Sequence, residues 1–391
     1  MDYLKGDGSI LLRCCSFLFA LLCLVSVTSP YAAEVSFAPS FDLTGAYNDN
    51  ILFERTDEVA DYFTILTPGA TLAFSTEIGV IEASGHNDFY FYSSESDLDT
   101  QIQDYDIQSR SEFLERWTFK IGGSYRKDTT LDSELEETGI VLERDDRLRL
   151  SANTSLRFDI NERTLTEVGF RYRDISYDDD AYTDYANNEF SYLFERKLRN
   201  QIDSLILFTT YTFREADTYE SDTYRVNLGW RRKLEERLTV RLLGGYRHTE
   251  HYDIDRQRDT TDGGVFDISF GYNWERSRLF LGLERRLTAS ATGDDLEVDR
   301  IYMNFWHNLT ERTRFDLNSR LLFTRNDGDL ENNDGRYFLI QPSLTYNLTE
   351  VHRLSLAYRY TSDYDDEVDG DKTAAQNQIW LSLKLVWPQK W

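Results

Sequence analysis

The chain has 391 residues, with 69 acidic and 43 basic side chains, a formal net charge of −26, and 14% aromatic residues beside 5 prolines and 2 methionines. A mean hydropathy of −0.55 excludes a helical membrane protein, and no linker or shift in composition divides the chain after its N-terminal segment, so one domain is expected. No nucleic-acid partner is expected.

Residues 14–27 form the one long apolar run, preceded by Arg13 and followed by Thr28, Ser29, Pro30, Ala32 and Ala33. About fourteen residues is short of the roughly twenty a helix needs to cross a bilayer, so residues 1–33 read as a signal peptide cleaved after Ala32 or Ala33. Lys5 and Arg13 are offset by Asp2 and Asp7, which points to a start downstream of Met1. All three cysteines, Cys14, Cys15 and Cys23, fall inside this segment, leaving residues 34–391 without a disulfide and suited to an oxidising periplasm. Leu22 disfavours lipid attachment at Cys23.

From Val35 to Tyr47 apolar and polar residues begin to alternate, and the pattern recurs with no helical period to the end of the chain. A period of two sends alternate side chains to opposite faces, one for lipid and one for a wet lumen. Tight acidic turns separate pairs of these runs: Thr76-Glu77, Glu115-Arg116, Asn161-Glu162-Arg163, Glu195-Arg196, Glu235-Glu236-Arg237, Glu275-Arg276, Thr310-Glu311-Arg312 and Thr349-Glu350. The marker glutamates recur about every 39 residues, room for one hairpin and one outer loop, whereas a propeller blade of similar period holds four short strands. With a first strand near Val35–Tyr47 and a last near Gln376–Trp387, the count is about 18 strands, within 16–18. The expected fold is an all-β, antiparallel up-and-down transmembrane barrel over residues 34–391, with both termini on the periplasmic side. Phe158, Phe194, Trp230 and Trp274 near the turns, and Tyr125, Phe213, Tyr246 and Phe323 near the loops, outline two aromatic girdles.

The nine other connections are longer and acidic: residues 49–61, 95–99, 128–143, 174–184, 215–222, 250–262, 294–299, 327–334 and 363–372. They are expected outside the cell, as solvated charge bridged by divalent cations to lipopolysaccharide phosphates. Removing them leaves the strands and turns net positive. In the run from Arg147 to Phe158, Leu148, Leu150, Ala152, Leu156 and Phe158 share the apolar face, so Arg147, Arg149 and Arg157 face the lumen. The same parity sends Lys120, Arg126, Arg171, Arg173, Arg225, Arg231, Arg241, Arg247, Arg314, Arg320, Arg353, Arg359 and Lys384 inward. Two roles follow. These cations pair with inward carboxylates such as Asp106, Glu112, Glu167, Asp203, Glu284 and Asp316 to stiffen the wall, or they form a conduit for anions, because a guanidinium fork matches carboxylate and phosphate.

The chemistry of an enzyme is missing. Of five histidines, His86 lies in a strand and His307 and His352 lie at turns; His248 and His251 are three apart in extended chain and point to opposite faces, so with Glu250 they make no metal site. There is no glycine-framed serine, cysteine nucleophile or phosphate loop, and the sequons at Asn308 and Asn347 sit at turns. Asp365, Glu367, Asp369 and Gly370 fit the start of a calcium loop, but Gln376 replaces its closing glutamate. Neither a cofactor nor a metal is expected.

The chain resembles the family of outer-membrane β-barrel porins associated with exopolysaccharide gene clusters. The resemblance rests on Tyr47-Asn48-Asp49-Asn50-Ile51 closing the first strand, Leu66-Thr67-Pro68-Gly69-Ala70 in the second, and the repeated Glu-Arg turns. A looser similarity, in size and inward arginines, is to the alginate-export barrels. The resemblance implies a pore in the outer membrane of a Gram-negative bacterium and carries no catalytic residues. Trp387 and the terminal Trp391 resemble the signal read by the barrel-assembly machinery, with Pro388 interrupting the alternation. Two functions are carried forward: a passive channel, specifically for export of an anionic exopolysaccharide and regulated by a loop folded into it, and a closed structural barrel whose acidic loops bind an envelope partner.

Overall fold

A computed structural model describes residues 33–140, 143–216, 219–235, 237–253, 258–291, 293, 295–326, 335–365 and 372–390. Residues 1–32, which hold nearly all of the expected signal peptide, Trp391, and Glu367, Asp369 and Gly370 of the calcium-like loop lie outside the described residues. The strands are β1 (Glu34–Asn48), β2 (Asp61–Thr76), β3 (Gly79–Tyr92), β4 (Thr100–Leu114), β5 (Trp117–Thr129), β6 (Asp146–Asn161), β7 (Thr164–Tyr177), β8 (Tyr185–Lys197) and β9 (Asp203–Ala216). They continue as β10 (Tyr219–Leu234), β11 (Leu238–Asp253), β12 (Arg258–Asn273), β13 (Ser277–Ala289), β14 (Asp295–Asn308), β15 (Thr313–Asn326), β16 (Gly335–Asn347), β17 (Arg353–Tyr364) and β18 (Thr373–Val386). An α-helix, α1 (Thr130–Thr138), lies between β5 and β6.

Each strand pairs antiparallel with its sequence neighbours, and β1 pairs with β18 from Ser40↔Val386 to Asn48↔Gln378, which closes an 18-stranded barrel. At about 3.3 Å per residue and a tilt near 40°, these strands rise about 30–40 Å along the axis, more than the roughly 25 Å apolar band of an outer membrane. Their middle stretches carry that band: Leu228, Leu242, Leu281, Ile301, Leu344, Leu356, Ile379 and Leu381 are exposed on the outside. Closure through β1 and β18 leaves neither terminal strand as a free edge, and the even strand count returns the C-terminus to the N-terminal side, where Lys390 pairs with Glu34 at 2.9 Å. This is the form in which strands cross the outer membrane of Gram-negative bacteria, and it is the architecture of this chain.

Several expectations need correction. The turn expected at Glu195-Arg196 is five residues, 198–202: Arg196 pairs with Leu205 and Lys197 with Ser204. Asn200 closes it, its side-chain oxygen accepting from the backbone N–H of Ile202 and Asp203 at 3.1 Å, while Gln201 takes a positive φ of 58°. That places Asp203 on the outer face, in a bond to Arg232 at 2.8 Å, so it is no lumen carboxylate. The acidic stretches 215–222 and 250–262 are largely strand, with Glu215↔Glu220 and Glu250↔Thr260 still paired. Above the apolar band an outward carboxylate is cheap, and tyrosine phenols donate to Asp222 from Tyr211 and to Asp262 from Tyr246, both at 2.6 Å.

Residues 295–299 of the expected loop 294–299 are not a solvated loop either. Pairing of β12 with β13 stops at Phe266↔Arg285, while β13 and β14 stay paired up to Ala289↔Asp295. Freed from β12, the end of this hairpin turns into the barrel mouth. Ala289 and Ala291 are buried against Ile175, Tyr177 and Tyr185, and Asp295 pairs with Arg214 of β9.

Candidate functional site: the constricted lumen

The acidic connection 128–143 does not lie outside. Its α1 crosses the lumen, and a nine-residue helix, marginal by itself, is held there by packing. Thr129 is extended at the N-cap; Gly139, at φ +77°, ends the helix with its N–H donated to the carbonyl of Leu135 at 2.9 Å. A left-handed residue is needed at that point, and glycine adopts it without a Cβ penalty. Leu135 is buried with Phe53, Leu296, Val298, Leu322, Tyr337, Leu339 and Ala374, and Leu131 and Ile140 pack against the same cluster. The apolar heart of this barrel therefore lies inside the lumen, between α1 and β14–β18.

The other side of α1 is ionic. Arg147 is fully buried; it reaches Ser133 Oγ at 2.6 Å, Glu134 at 3.1 Å and Glu137 at 3.0 Å. Arg149 holds the second oxygen of Glu137 at 2.7 Å, and Arg286 donates to the Glu137 carbonyl at 2.8 Å. Glu136 is bridged by Arg320 at 3.1 Å and Arg359 at 3.2 Å. Burial pushes the Glu137 carboxyl up, but the guanidiniums of Arg147 and Arg149 outweigh it and hold the group at about 2. For Glu134 burial wins over Arg147, and its carboxyl is raised.

Loop 1, between β1 and β2, completes the closure and gives the Tyr47–Ile51 motif a structural meaning. Asn48 accepts from the Asn50 N–H at 2.9 Å, and the Asn50 amide donates to the carbonyls of Glu54 at 2.7 Å and Ala375 at 2.9 Å. Asp49 accepts from the backbone and side chain of Asn377 at 2.6 and 2.8 Å. These bonds fold the loop inward and set Phe53 against Leu135. Below loop 1 and α1 a cavity of about 530 Å³ remains beside β1–β3 and β18, lined in part by Asp42, His86, Asp88, Tyr90, Asp132 and Lys384.

By register the sixteen cations singled out from the sequence all lie on the face of the sheet that carries the α1 contacts. Several are paired: Lys120 with Glu167 at 3.5 Å, Arg126 with Asp128 at 2.5 Å, Arg157 with Asp159 at 2.8 Å and Arg171 with Glu189 at 3.4 Å. Arg231 pairs with Glu195, Arg241 with Asp267 at 2.8 Å, Arg247 with Glu297 at 3.7 Å and Arg314 with Asp316 at 2.5 Å. Lys384 lines the cavity, and Arg353 is its partner across the β17–β18 ladder. Among the described residues Arg173 and Arg225 have no carboxylate within ion-pair distance; Arg225 lies over the ring of Phe208 instead. Parity along β13 and β14 adds two arginines missed in the sequence, Arg286 and Arg300, the latter paired with Glu284 at 2.7 Å. The signal was present, since Glu284 and Arg286 are two apart. His248 faces outward, toward Asp262 at 2.7 Å, and His251 inward, toward Asp295 at 3.5 Å. Trp387, on the outside, packs edge-on against His352.

No protein-family model and no curated protein matches this sequence. Among solved structures, the outer membrane protein opdK of Pseudomonas aeruginosa aligns over 92% of this chain and 99% of its own, at 12% identity and a TM-score of 0.45. OccK2 (OpdF) of the same organism covers 90% and 98% at 12% identity and 0.48, and OccAB3 of Acinetobacter baumannii covers 91% and 99% at 10% identity and 0.48. Likeness at this level transfers neither a family nor a solute.

Proposed function

We propose that this barrel is a passive outer-membrane channel that favours anions, with α1 as its constriction. The observation that carries the reading is a set of half-buried guanidiniums on the lumen wall that no carboxylate among the described residues neutralises. Arg173, Arg225 and Arg286 have no carboxylate within ion-pair distance, and their Nε atoms, with those of Arg149, Arg241 and Arg300, are buried without a hydrogen-bond partner among the described residues. Such donors are costly to leave unmatched and suit a passing carboxylate or phosphate. Export of an anionic exopolysaccharide is the more specific form of the reading; it requires α1 to leave the lumen, because a polymer needs a continuous path through the barrel.

A second reading is favoured by the closure itself. Loop 1, α1 and the end of the β13–β14 hairpin all fold inward, as expected of a closed barrel that serves as a scaffold. Planar-bilayer recording of the refolded protein separates the two. An ohmic pore with anion preference, shifted toward cations in the Arg173→Glu, Arg225→Glu, Arg286→Glu variant, supports the channel; silence at high protein load refutes it and leaves the scaffold.

A further inference from the structure

The helix that crosses the lumen presents to the wall the chemical groups that an anionic solute would bring. Glu136 and Glu137 are adjacent in sequence yet reach opposite walls: Glu136 lies between Arg320 of β15 and Arg359 of β17, and Glu137 between Arg147 and Arg149 of β6. Each carboxylate is clamped by two guanidiniums, one on each oxygen. At the Glu137 clamp the match is incomplete, since the Nε atoms of Arg147 and Arg149, and of Arg286 beside them, remain buried without an acceptor among the described residues. A well-fitted structural ion pair would use those donors. A carboxylate free to approach side-on would take Nε together with a terminal nitrogen, the bidentate geometry that Arg285 makes with Asp299 at 2.6 Å for both bonds.

We propose that α1 is a tethered anionic plug occupying a polycarboxylate-binding site, and that a soluble di- or tricarboxylate competes for Arg149, Arg320 and Arg359 and releases the helix. The proposal rests on the reading of the barrel as an anion channel and names its ligand class and its gate. Two clamps on opposite walls set the valence. A monocarboxylate displaces one glutamate and leaves the other holding, whereas a molecule with two or more carboxylates replaces both ion pairs at once. What the ligand does not replace is the apolar contact of Leu135, so the plug recloses when the ligand leaves. Gly139 at one end and Thr129 at the other are the points about which the helix swings out.

The test uses the full barrel reconstituted in lipid, with hydrogen exchange over residues 130–140 read in millimolar citrate and in acetate of equal ionic strength. Citrate is expected to speed exchange in α1 by about tenfold or more while the barrel strands stay protected; acetate is expected to leave it unchanged. The E136Q/E137Q variant, isosteric at both positions, is expected to exchange fast without citrate and to be insensitive to it, with R320Q as a second variant of lowered citrate response. Equal exchange in citrate and acetate, or wild-type protection in E136Q/E137Q, overturns the proposal. The two readings fail separately. Citrate-driven exchange in a barrel that never conducts sinks the channel and keeps the site; an anion-selective pore whose α1 ignores citrate sinks the site and keeps the channel.

Discussion

Replacing Arg147 with methionine keeps most of the side-chain volume and removes the charge that faces Glu134 and Glu137. Both Arg147 and Glu134 are essentially inaccessible to solvent, so the change leaves a buried carboxylate facing Tyr177, 3.2 Å away, and the Ser133 hydroxyl without its guanidinium partner. Breaking a buried pair by removing one partner costs about 3–5 kcal/mol, and protonation of Glu134 limits the loss to the lower part of that range. The cost falls on α1 alone, because the ladder of β6 with β5 and β7 does not use the side chain. About 3 kcal/mol corresponds to an open population of α1 raised by about a hundredfold or more. Hydrogen exchange in the folded barrel reads it directly, as faster exchange of residues 130–140 with unchanged protection in β5–β7. Unchanged exchange in α1 would show that packing alone docks the helix, and a parallel loss of protection across the strands would show that Arg147 supports the wall. Either result refutes the account of α1 as a separately held element.

Acidification should release α1 in a defined window. Glu137 is held at about 2 against an ordinary 4.5, so its contribution, about 3 kcal/mol, is complete above pH 4.5 and is lost as pH falls from 4.5 toward 2. Glu134 has the opposite sign, since acid relieves the cost of its buried charge, and so the E137Q variant should show a weaker acid release than the wild type between pH 6 and 3 when α1 exchange is followed. Gly139→Ala places a Cβ at positive φ and 3.0 Å from Tyr337 Cβ, and should loosen the end of α1 by about 1 kcal/mol, measured as exchange at residues 138–140. Asn50→Ala removes donors to two carbonyls and should cost about 2 kcal/mol in loop 1, read as a new protease site near residues 51–58; an uncut variant counts against the motif as a loop lock. The triple arginine-to-glutamate variant should shift the reversal potential toward cations in bilayer recordings, and an unchanged potential counts against Arg173, Arg225 and Arg286 as the selectivity wall.

The wall was legible in the sequence because a barrel strand is a local object. Alternation assigns Leu381 outward and Lys384 inward without reference to any other strand, and the glutamate turns mark where pairs of strands end. Errors arose where the local pattern stops deciding. At Glu195-Arg196 the turn chemistry of Asn200 and Gln201 outweighed the acidic marker, and the assignment of Asp203 to the lumen fell with it.

Composition was misleading where a charged segment finds its partner far along the chain. Residues 128–143 look like solvated acid because every cation that Glu136 and Glu137 meet lies on another strand, Arg320 and Arg359 among them about two hundred residues away. Sequence by itself determined the closed β-barrel and the face each cation occupies, since these follow from a period of two and from residue type. Only the tertiary structure decided that the lumen is crossed by α1, because that depends on closing the barrel, which brings β6, β13, β15 and β17 around one helix and turns loop charge into buried ion pairs.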